Sequence, residues 1–328
     1  MTLKKVLVTG GAGFIGSHTV KHLQKNGYAP VVYDNLSTGH ISAVRWGEFV
    51  HGDILSQTQL VSTIEMHSPA AIIHFAASAY VGESVTDPAK YYRNNVIGTQ
   101  CVLEANRLTG RVPVIFSSSC ATYGVPQTLP ITEAEIQRPV NPYGWTKLFA
   151  EQMFADYASA YGMSYAALRY FNACGADLDG ELGEKHDPET HLVPRAMLAA
   201  AGHVDRLDIF GNDYNTPDGT CIRDYIHVVD LARAHVLALN YLLEGENNLV
   251  VNLGSGRGTS IKEIVDAIER LTGQPVPTSI QPRRAGDPPI LYANPAEAEA
   301  KLGFRTLYSD IETIVRTAAP FFGLGLRT

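Results

Sequence analysis

The chain has 328 residues, of which 45% are hydrophobic and 18% charged, and carries a formal net charge of −7. That length allows a large core and about two domains, and no apolar run approaches the roughly 18 residues of a membrane span. With no Lys/Arg run and a negative balance, nucleic acid is not an expected partner.

The opening stretch, MTLKKVLVTGG, enters structure at once and lacks the apolar region and cleavage site of a signal peptide. Cys101, Cys120, Cys174 and Cys221 are scattered, with no CxxC and no Cys/His cluster. They read as reduced thiols of a cytoplasmic protein, and no metal site is expected.

In chain order, Lys5–Val8 is a buried-strand candidate, after which Ile15, Thr19, Val20 and Leu23 fall on one helical face. Strands are expected over Ala29–Tyr33 and up to Val50, with a helix over Gln57–Met66. Further strands follow at Ala71–Phe75, Val112–Ser117 and Ser164–Arg169, separated by helical sequence. This β-α-β alternation predicts an α/β fold with a doubly wound parallel sheet of Rossmann type. After about residue 172 the pattern loosens into the polar loop GADLDGELGEKHDPET, then LDIFG, RDYIHVVDLARAHVLALNYLL, NLVVNLG, and helices at Ile261–Leu271 and Ile311–Phe322. The expected division is a dinucleotide-binding domain over 1–171 and a smaller mixed α/β substrate domain over 172–328, with segments of the latter returning to the first sheet.

The stretch VLVTGGAGFIGSH places Gly10, Gly13 and Gly16 between a strand and a helix. Glycine there permits a tight turn, close approach of backbone to a pyrophosphate, and close packing of helix on strand. The helix N-terminus adds free N–H groups and partial positive charge. Asp34, 18 residues after Gly16, ends the second strand. A carboxylate there accepts hydrogen bonds from a ribose diol and repels a 2′-phosphate, which favours NAD over NADP.

In NPYGWTK, Tyr143 and Lys147 stand at i and i+4, one face of a helix that Pro142 is suited to start. A fixed ammonium and a cationic nicotinamide would lower a phenol from its ordinary pKa of about 10. Lowering it by about three units corresponds to roughly 4 kcal/mol. Ser119, in FSSSCATYG, is expected just past the end of the fifth strand, where open α/β sheets bind ligands and a hydroxyl can relay a proton.

Glycine loop, ribose acid, strand-end serine and YxxxK occur here in the order of the extended short-chain dehydrogenase/reductases, and within them the chain resembles the UDP-glucose 4-epimerases. The resemblance covers nearly the whole sequence and rests on VTGGAGFIGSHT, YDNLSTGH, HFAASAYVGESV, YYRNNVIGT, SSSCATYG, NPYGWTK, LRYFNACGA, GNDYNTPDGTCIRDYIHV, NLGSGRGTS and RRAGDPP. It implies Tyr143 as catalytic base, Lys147 as its partner on the nicotinamide ribose, and Ser119 as hydroxyl relay. It further implies Phe14 and Ile15 at the pyrophosphate turn, Asp34 and Asn35 at the adenosine ribose, and Asp53 and Ile54 beside adenine. Phe75, Ala76, Ala77 and Asn94 would line the cofactor, and Phe171 would border the nicotinamide. Asn172, Leu192, Phe210, Arg223, Arg284 and Asp287 would hold the UDP group, where guanidinium forks suit a diphosphate. A homodimer is also implied, through helical sequence near 91–106 and 148–160.

Three positions depart from the family's usual pattern. Ala79 stands where a lysine is frequent, His191 where asparagine is frequent, and Leu291 where the residue limits the sugar's 2-substituent. The expected reaction interconverts UDP-galactose and UDP-glucose through a 4-keto sugar with retained NAD. The alternatives are a 4-epimerase of another UDP-sugar (a pentose, a glucuronate or an N-acetylhexosamine), a nucleotide-sugar dehydratase or decarboxylase, and an NAD-sensing regulator. A dehydratase generally needs an acid after the strand-end hydroxyl, where this chain has Cys120 and Ala121. The intact Ser/Tyr/Lys set argues against a sensor.

Overall fold

The computed structural model describes residues 3–284 and 288–327. The strands are β1 Lys4–Thr9, β2 Tyr28–Asp34, β3 Glu48–His51, β4 Ala71–His74, β5 Val114–Ser119, β6 Tyr165–Tyr170, β7 Asn172–Cys174, β8 Leu207–Phe210, β9 Ile222–His227, β10 Leu249–Leu253, β11 Gly258–Ser260, β12 Thr278–Gln281 and β13 Ile290–Leu291. The helices are α1 Phe14–Lys25, α2 Gln57–His67, α3 Val81–Thr86, α4 Pro88–Tyr91, α5 Gly98–Thr109, α6 Pro142–Tyr161, α7 Leu192–Ala200, α8 Val228–Leu243, α9 Ile261–Thr272, α10 Ala296–Leu302 and α11 Ile311–Ala318. A π-helical turn, Tyr92–Ile97, links α4 to α5. Among the described residues no helix is long and apolar enough to cross a membrane.

Seven strands form one parallel sheet in the order β10-β6-β5-β4-β1-β2-β3. This is the doubly wound α/β arrangement expected from the alternation. After β3 the chain crosses back to β4 on the other side of β1, so the switch point lies between β1 and β4. Ligand sites of such sheets lie beyond the strand C-termini at that point, where Gly10 and Phe75 follow the two strands.

Side chains alternate across the sheet. Val6, Val8, Ile73, Ile115 and Leu168 face α1, α8 and α10 through Val20, Leu23, Leu231, Leu239 and Leu302. Leu7, Tyr33, Ile72, Phe116 and Ala167 face α2, α5 and α6 through Leu60, Ile64, Leu103 and Phe154. Each such fully buried aliphatic side chain contributes about 1.5–3 kcal/mol. β10 and α8 come from the second half of the sequence yet pack on this sheet. A second core gathers α7, α9 and α11 over β8, and the small sheet β11-β9-β13, with β7 on β9, lies beside it. Helix α9 is fixed at its start by a capping box: Ser260 Oγ accepts from Glu263 N–H and the Glu263 carboxylate from Ser260 N–H.

One expected boundary moves in a way that matters for the site. The strand expected over 112–117 runs from Val114 to Ser119, so Ser119 is its last residue and not a loop residue beyond it. Serine favours turns because its hydroxyl competes for backbone. Here Ser117, Ser118 and Ser119 are all buried, and their side chains bond to other elements. That keeps the backbone extended and paired with Leu168, Arg169 and Tyr170 of β6.

Candidate active site

Gly10 takes a left-handed φ of +72°, and an added Cβ would lie 2.6 Å from Ala76 N. A Cβ on Gly16 would lie 2.2 Å from the Gly10 carbonyl oxygen. The two glycines therefore let α1 and the segment after β4 close on the turn. Gly13 is the N-cap of α1 and offers no side chain to it; its own Cβ position meets only the Gly10 carbonyl, at 3.4 Å. No acid stands in the first turn of α1, so its leading N–H groups are a ready anion site.

Asp34, at the end of β2, is oriented by two backbone donors: Ala12 N–H to Oδ2 at 2.9 Å and Leu36 N–H to Oδ1 at 2.8 Å. Asn35 Nδ2 donates to Asp53 Oδ2 at 3.1 Å, and Leu55 N–H donates to Asp53 Oδ1 at 2.8 Å. Ile54 packs against Gly98, whose absent Cβ would sit 2.4 Å from Ile54 Cδ1. Phe75 and Ala76 donate backbone N–H to the Thr9 carbonyl, placing 75–77 beside the glycine turn. These residues fit a dinucleotide: an uncapped helix start for the pyrophosphate, a held carboxylate for the ribose, and an Asp/Asn pair further along.

Asn94 donates to Asn95 Oδ1 at 3.0 Å. Asn95, which the sequence analysis did not single out, is the connecting residue. Its side chain accepts from Ser78 N–H and donates to both the Ser78 carbonyl and Thr146 Oγ1, each bond 2.8–3.0 Å long. Thr146 Oγ1 in turn donates to the Tyr143 carbonyl at 2.7 Å. The π-helical turn thus ties the cofactor-side segment to the helix that carries the tyrosine. The doubled asparagine in YYRNNVIGT was the available signal.

Helix α6 begins as expected, with Pro142 at its start and Asn141 Oδ1 accepting from Gly144 N–H at 2.8 Å. Tyr143, Lys147 and Glu151 recur every four residues and face β5. The Tyr143 phenol interacts with the Ser119 hydroxyl. Lys147 Nζ donates to the Ser117 carbonyl at 2.7 Å. Ser118 Oγ donates to Glu151 Oε1 in a short hydrogen bond. Glu151 also takes a buried salt bridge from Arg169 at 2.6 Å, and Arg169 reaches Tyr123 Oη at 2.9 Å. Glu151 was missed in the sequence because only its i+8 spacing from Tyr143 marks it.

In the chain alone, burial outweighs the lysine at Tyr143. Burial pushes the phenol well above its ordinary value, with Tyr170 adding to the effect and Ser119 opposing it. Burial lowers the Lys147 ammonium to about 7, opposed by the Glu151 carboxylate. The lysine Nζ sits over the tyrosine ring, 5.8 Å from its centre. The expected phenolate requires a cationic nicotinamide beside the ammonium, and in the chain without it burial keeps the phenol protonated. The chain holds a neutral phenol that a further positive charge can ionise.

On the substrate side the expected residues fall into two groups. Asn172 on β7 donates to the Asp224 carbonyl at 2.9 Å, and Arg223 on β9 pairs in register with Leu291 on β13. Arg223 Nη1 also donates to the Ile222 carbonyl at 2.8 Å. Phe171, Cys120 and Leu291 gather around Tyr123, Ile131 and Ala293. Separately, the Arg284 guanidinium stacks 3.8 Å from the Phe210 ring centre. Leu192 opens α7 and packs on the second core. Asp287 lies outside the described residues. Asp224, unremarked in the sequence, is a buried carboxylate that accepts from Ser255, Gly256 and Ala293 N–H and so fixes the loop beside Arg223.

The chain belongs to the NAD dependent epimerase/dehydratase family, which it matches over residues 6–254. Relatives it matches include proteins named UDP-glucose 4-epimerase. It is 50% identical over 318 residues to the UDP-glucose 4-epimerase of Rhizobium leguminosarum bv. trifolii, covering 97% of each chain. It superposes with a TM-score of 0.97 on the UDP-glucose 4-epimerase from Brucella ovis in complex with NAD, at 72% identity over 99% of this chain and 100% of that one. The UDP-glucose-4-epimerase from Stenotrophomonas maltophila with bound NAD and formylated UDP-arabinopyranose gives a TM-score of 0.94, at 38% identity over 98% of each chain.

The state of Lys147 has a measurable consequence. Between about pH 7 and its ordinary value of 10.5, the unfolded chain carries this proton and the folded chain does not. Stability from this group therefore rises with pH across that window, and its cost is constant below it. Relative to wild type, Lys147→Met should gain in unfolding free energy as pH falls from about 10 to about 7, by at most roughly 1.4 kcal/mol per unit. Urea denaturation of NAD-free protein measures it; a variant that gains as pH rises contradicts the assignment.

Proposed function

We infer that the protein interconverts UDP-galactose and UDP-glucose by epimerisation at C4, with NAD retained on the enzyme. The observation that carries this reading is the stripe Tyr143, Lys147, Glu151 docked on the serines of β5, in the same sheet whose β1 leads into the glycine turn. NAD, when bound there, supplies the acceptor that takes the C4 hydrogen with its electron pair and gives it back to the other face of the 4-keto sugar. Tyr143 takes the C4 hydroxyl proton at its phenolic oxygen and returns it, with Ser119 in the path. Lys147, held by the Ser117 carbonyl, is placed to meet the nicotinamide ribose. Phe14, Ile15, Asp34, Asn35, Asp53, Ile54, Phe75, Ala76, Ala77 and Asn94 hold the cofactor, with Phe171 at its nicotinamide end. Asn172, Leu192, Phe210, Arg223 and Arg284 anchor the UDP group, and Asp287 is assigned there by resemblance.

The dehydratase reading requires an acid or base beside Ser119. Cys120 is partly buried there, and desolvation pushes its thiol up to about 12. It neither ionises near neutrality nor supplies a carboxylate, which supports the epimerase. At the sugar, Leu291 packs on the cluster that includes Phe171 and Cys120. It presents an apolar wall beside the proposed sugar site, and UDP-glucose and UDP-galactose are the substrates assigned.

We also propose a homodimer in the cytoplasm. All four cysteines are free, as reduced thiols of that compartment would be. Tyr92, Ile97, Trp145 and Phe149 are exposed large hydrophobic residues on neighbouring helical segments, and Phe149 stacks with both Tyr92 and Trp145. Such a patch marks an association surface.

Tyr143→Phe should lower turnover of UDP-galactose by about 10²–10⁴-fold while NAD stays with the protein through gel filtration. Turnover within a few-fold of wild type would remove the residue from its role. Sedimentation should return two chains for wild type and one for Trp145→Glu/Phe149→Glu; a monomeric wild type rejects the dimer.

A further inference from the structure

The polar loop between β7 and α7 brings four ligand-type side chains to one point. Glu184, His186, Glu189 and His191 form an E-x-H-x-x-E-x-H run, and one donor atom from each lies within 4.8 Å of the others. Glu184 Oε1 is 3.3 Å from His186 Nδ1 and 3.2 Å from His191 Nδ1. Glu189 places its two oxygens 3.3 Å from His186 Nδ1 and 2.9 Å from His191 Nδ1. The carboxylate side chains are 4% and 8% exposed, against 18% for His186 and 40% for His191. The imidazoles thus lie on the solvent side and the acids beneath.

Hydrogen bonding alone accounts poorly for this geometry. An imidazole Nδ1 has one in-plane proton or one lone pair and serves one partner well. Here each Nδ1 stands between two carboxylates and each carboxylate between two imidazoles, so all four donors converge. A tetrahedral zinc site with bonds of about 2.0–2.2 Å has donor–donor edges of roughly 3.3–3.5 Å. Three of the four N···O separations, 3.2–3.3 Å, fall at or just below that range, and the fourth, 2.9 Å, has hydrogen-bond length. Two carboxylates buried side by side also demand two positive charges, which either the two facing imidazoliums or one divalent cation can supply. A mixed nitrogen and oxygen set suits zinc and its transition-metal neighbours, whereas calcium and magnesium take oxygen alone.

We propose that Glu184, His186, Glu189 and His191 bind one divalent transition-metal cation of zinc type, as a structural site. The scattered cysteines give no expectation of a metal, and this run reads in the sequence as a polar loop. The site's placement gives it a purpose. The His186 ring packs 6.3 Å from the Phe14 ring at the start of α1 and 5.9 Å from Tyr80, and His191 lies 6.1 Å from Tyr80. His191 is also the N-cap of α7, next to Leu192. A bound cation would fasten this loop between the glycine turn and the proposed UDP side without touching the reacting atoms.

The test uses untagged full-length protein with its NAD, exposed to Zn²⁺ and dialysed against metal-free buffer. Plasma mass spectrometry should find about one zinc per chain, and anomalous diffraction at the zinc edge should place it among these four side chains. His186→Ala/His191→Ala, and the isosteric Glu184→Gln/Glu189→Gln, should each retain less than about a tenth of that. EDTA should lower the melting temperature of wild type but not of the variants. Wild type with less than about a tenth of an equivalent, zinc located elsewhere, or equal zinc in the variants would each overturn the proposal and leave a pair of imidazolium–carboxylate bridges. Should both variants fail to fold, the metal content and anomalous map of wild type still decide.

Discussion

Strand β5 ends in three consecutive buried serines, and the rest of the site depends on what satisfies them. Helix α6 does so with one residue per turn: Tyr143 at Ser119, Lys147 at the Ser117 carbonyl, and Glu151 at Ser118. A buried polar group left unpaired costs about 1–3 kcal/mol. The docking of helix on strand is therefore specified in register, because a one-turn slip would strand several such groups at once. The same contacts that fix the helix also fix the phenol and the ammonium. The geometry of the proposed catalytic groups and the packing of the fold are thus one set of interactions.

Two further ties carry that register outward. Arg169 on β6 clamps Glu151 from the far side, and Asn95 joins the 78 segment to Thr146 beneath Tyr143. The glycine turn is held against the same region by Gly10 lying under Ala76. The proposed cofactor cradle and proton-transfer pair are thus linked through one set of contacts near the switch point. The second half of the chain contributes β10 and α8 to the sheet and β9 and β13 to the substrate side. Neutral His74, lowered to about 3 by burial and then by Lys147, fills the space behind the lysine without adding charge.

The parallel sheet was legible because buried strands and amphipathic helices alternate with different periods. The glycine turn was legible because only glycine meets its steric demands, and Tyr143 and Lys147 because i and i+4 share a helix face. Ser119 was placed outside the strand because serine's local preference points to a turn, which tertiary partners override. Asn95, Glu151 and Asp224 were missed for a different reason: each acts through a partner far away in sequence, which neither a doubled asparagine nor an i+8 spacing identifies. The grouping of Glu184, His186, Glu189 and His191 was hidden in the same way by a polar loop whose fold no periodicity encodes. Spacing reveals the lysine near Tyr143 but not the depth of burial that opposes ionisation in the chain alone.

What the account claims most directly is that this buried phenol is neutral in the chain alone and becomes a base only when cofactor charge joins Lys147. Ultraviolet difference titration of wild type against Tyr143→Phe, with and without oxidised NAD, reads that ionisation. The account predicts a pKa above 10 without NAD and a fall of about three units with it. An unchanged pKa in the two states, or a phenol already ionised at neutral pH without NAD, would contradict it.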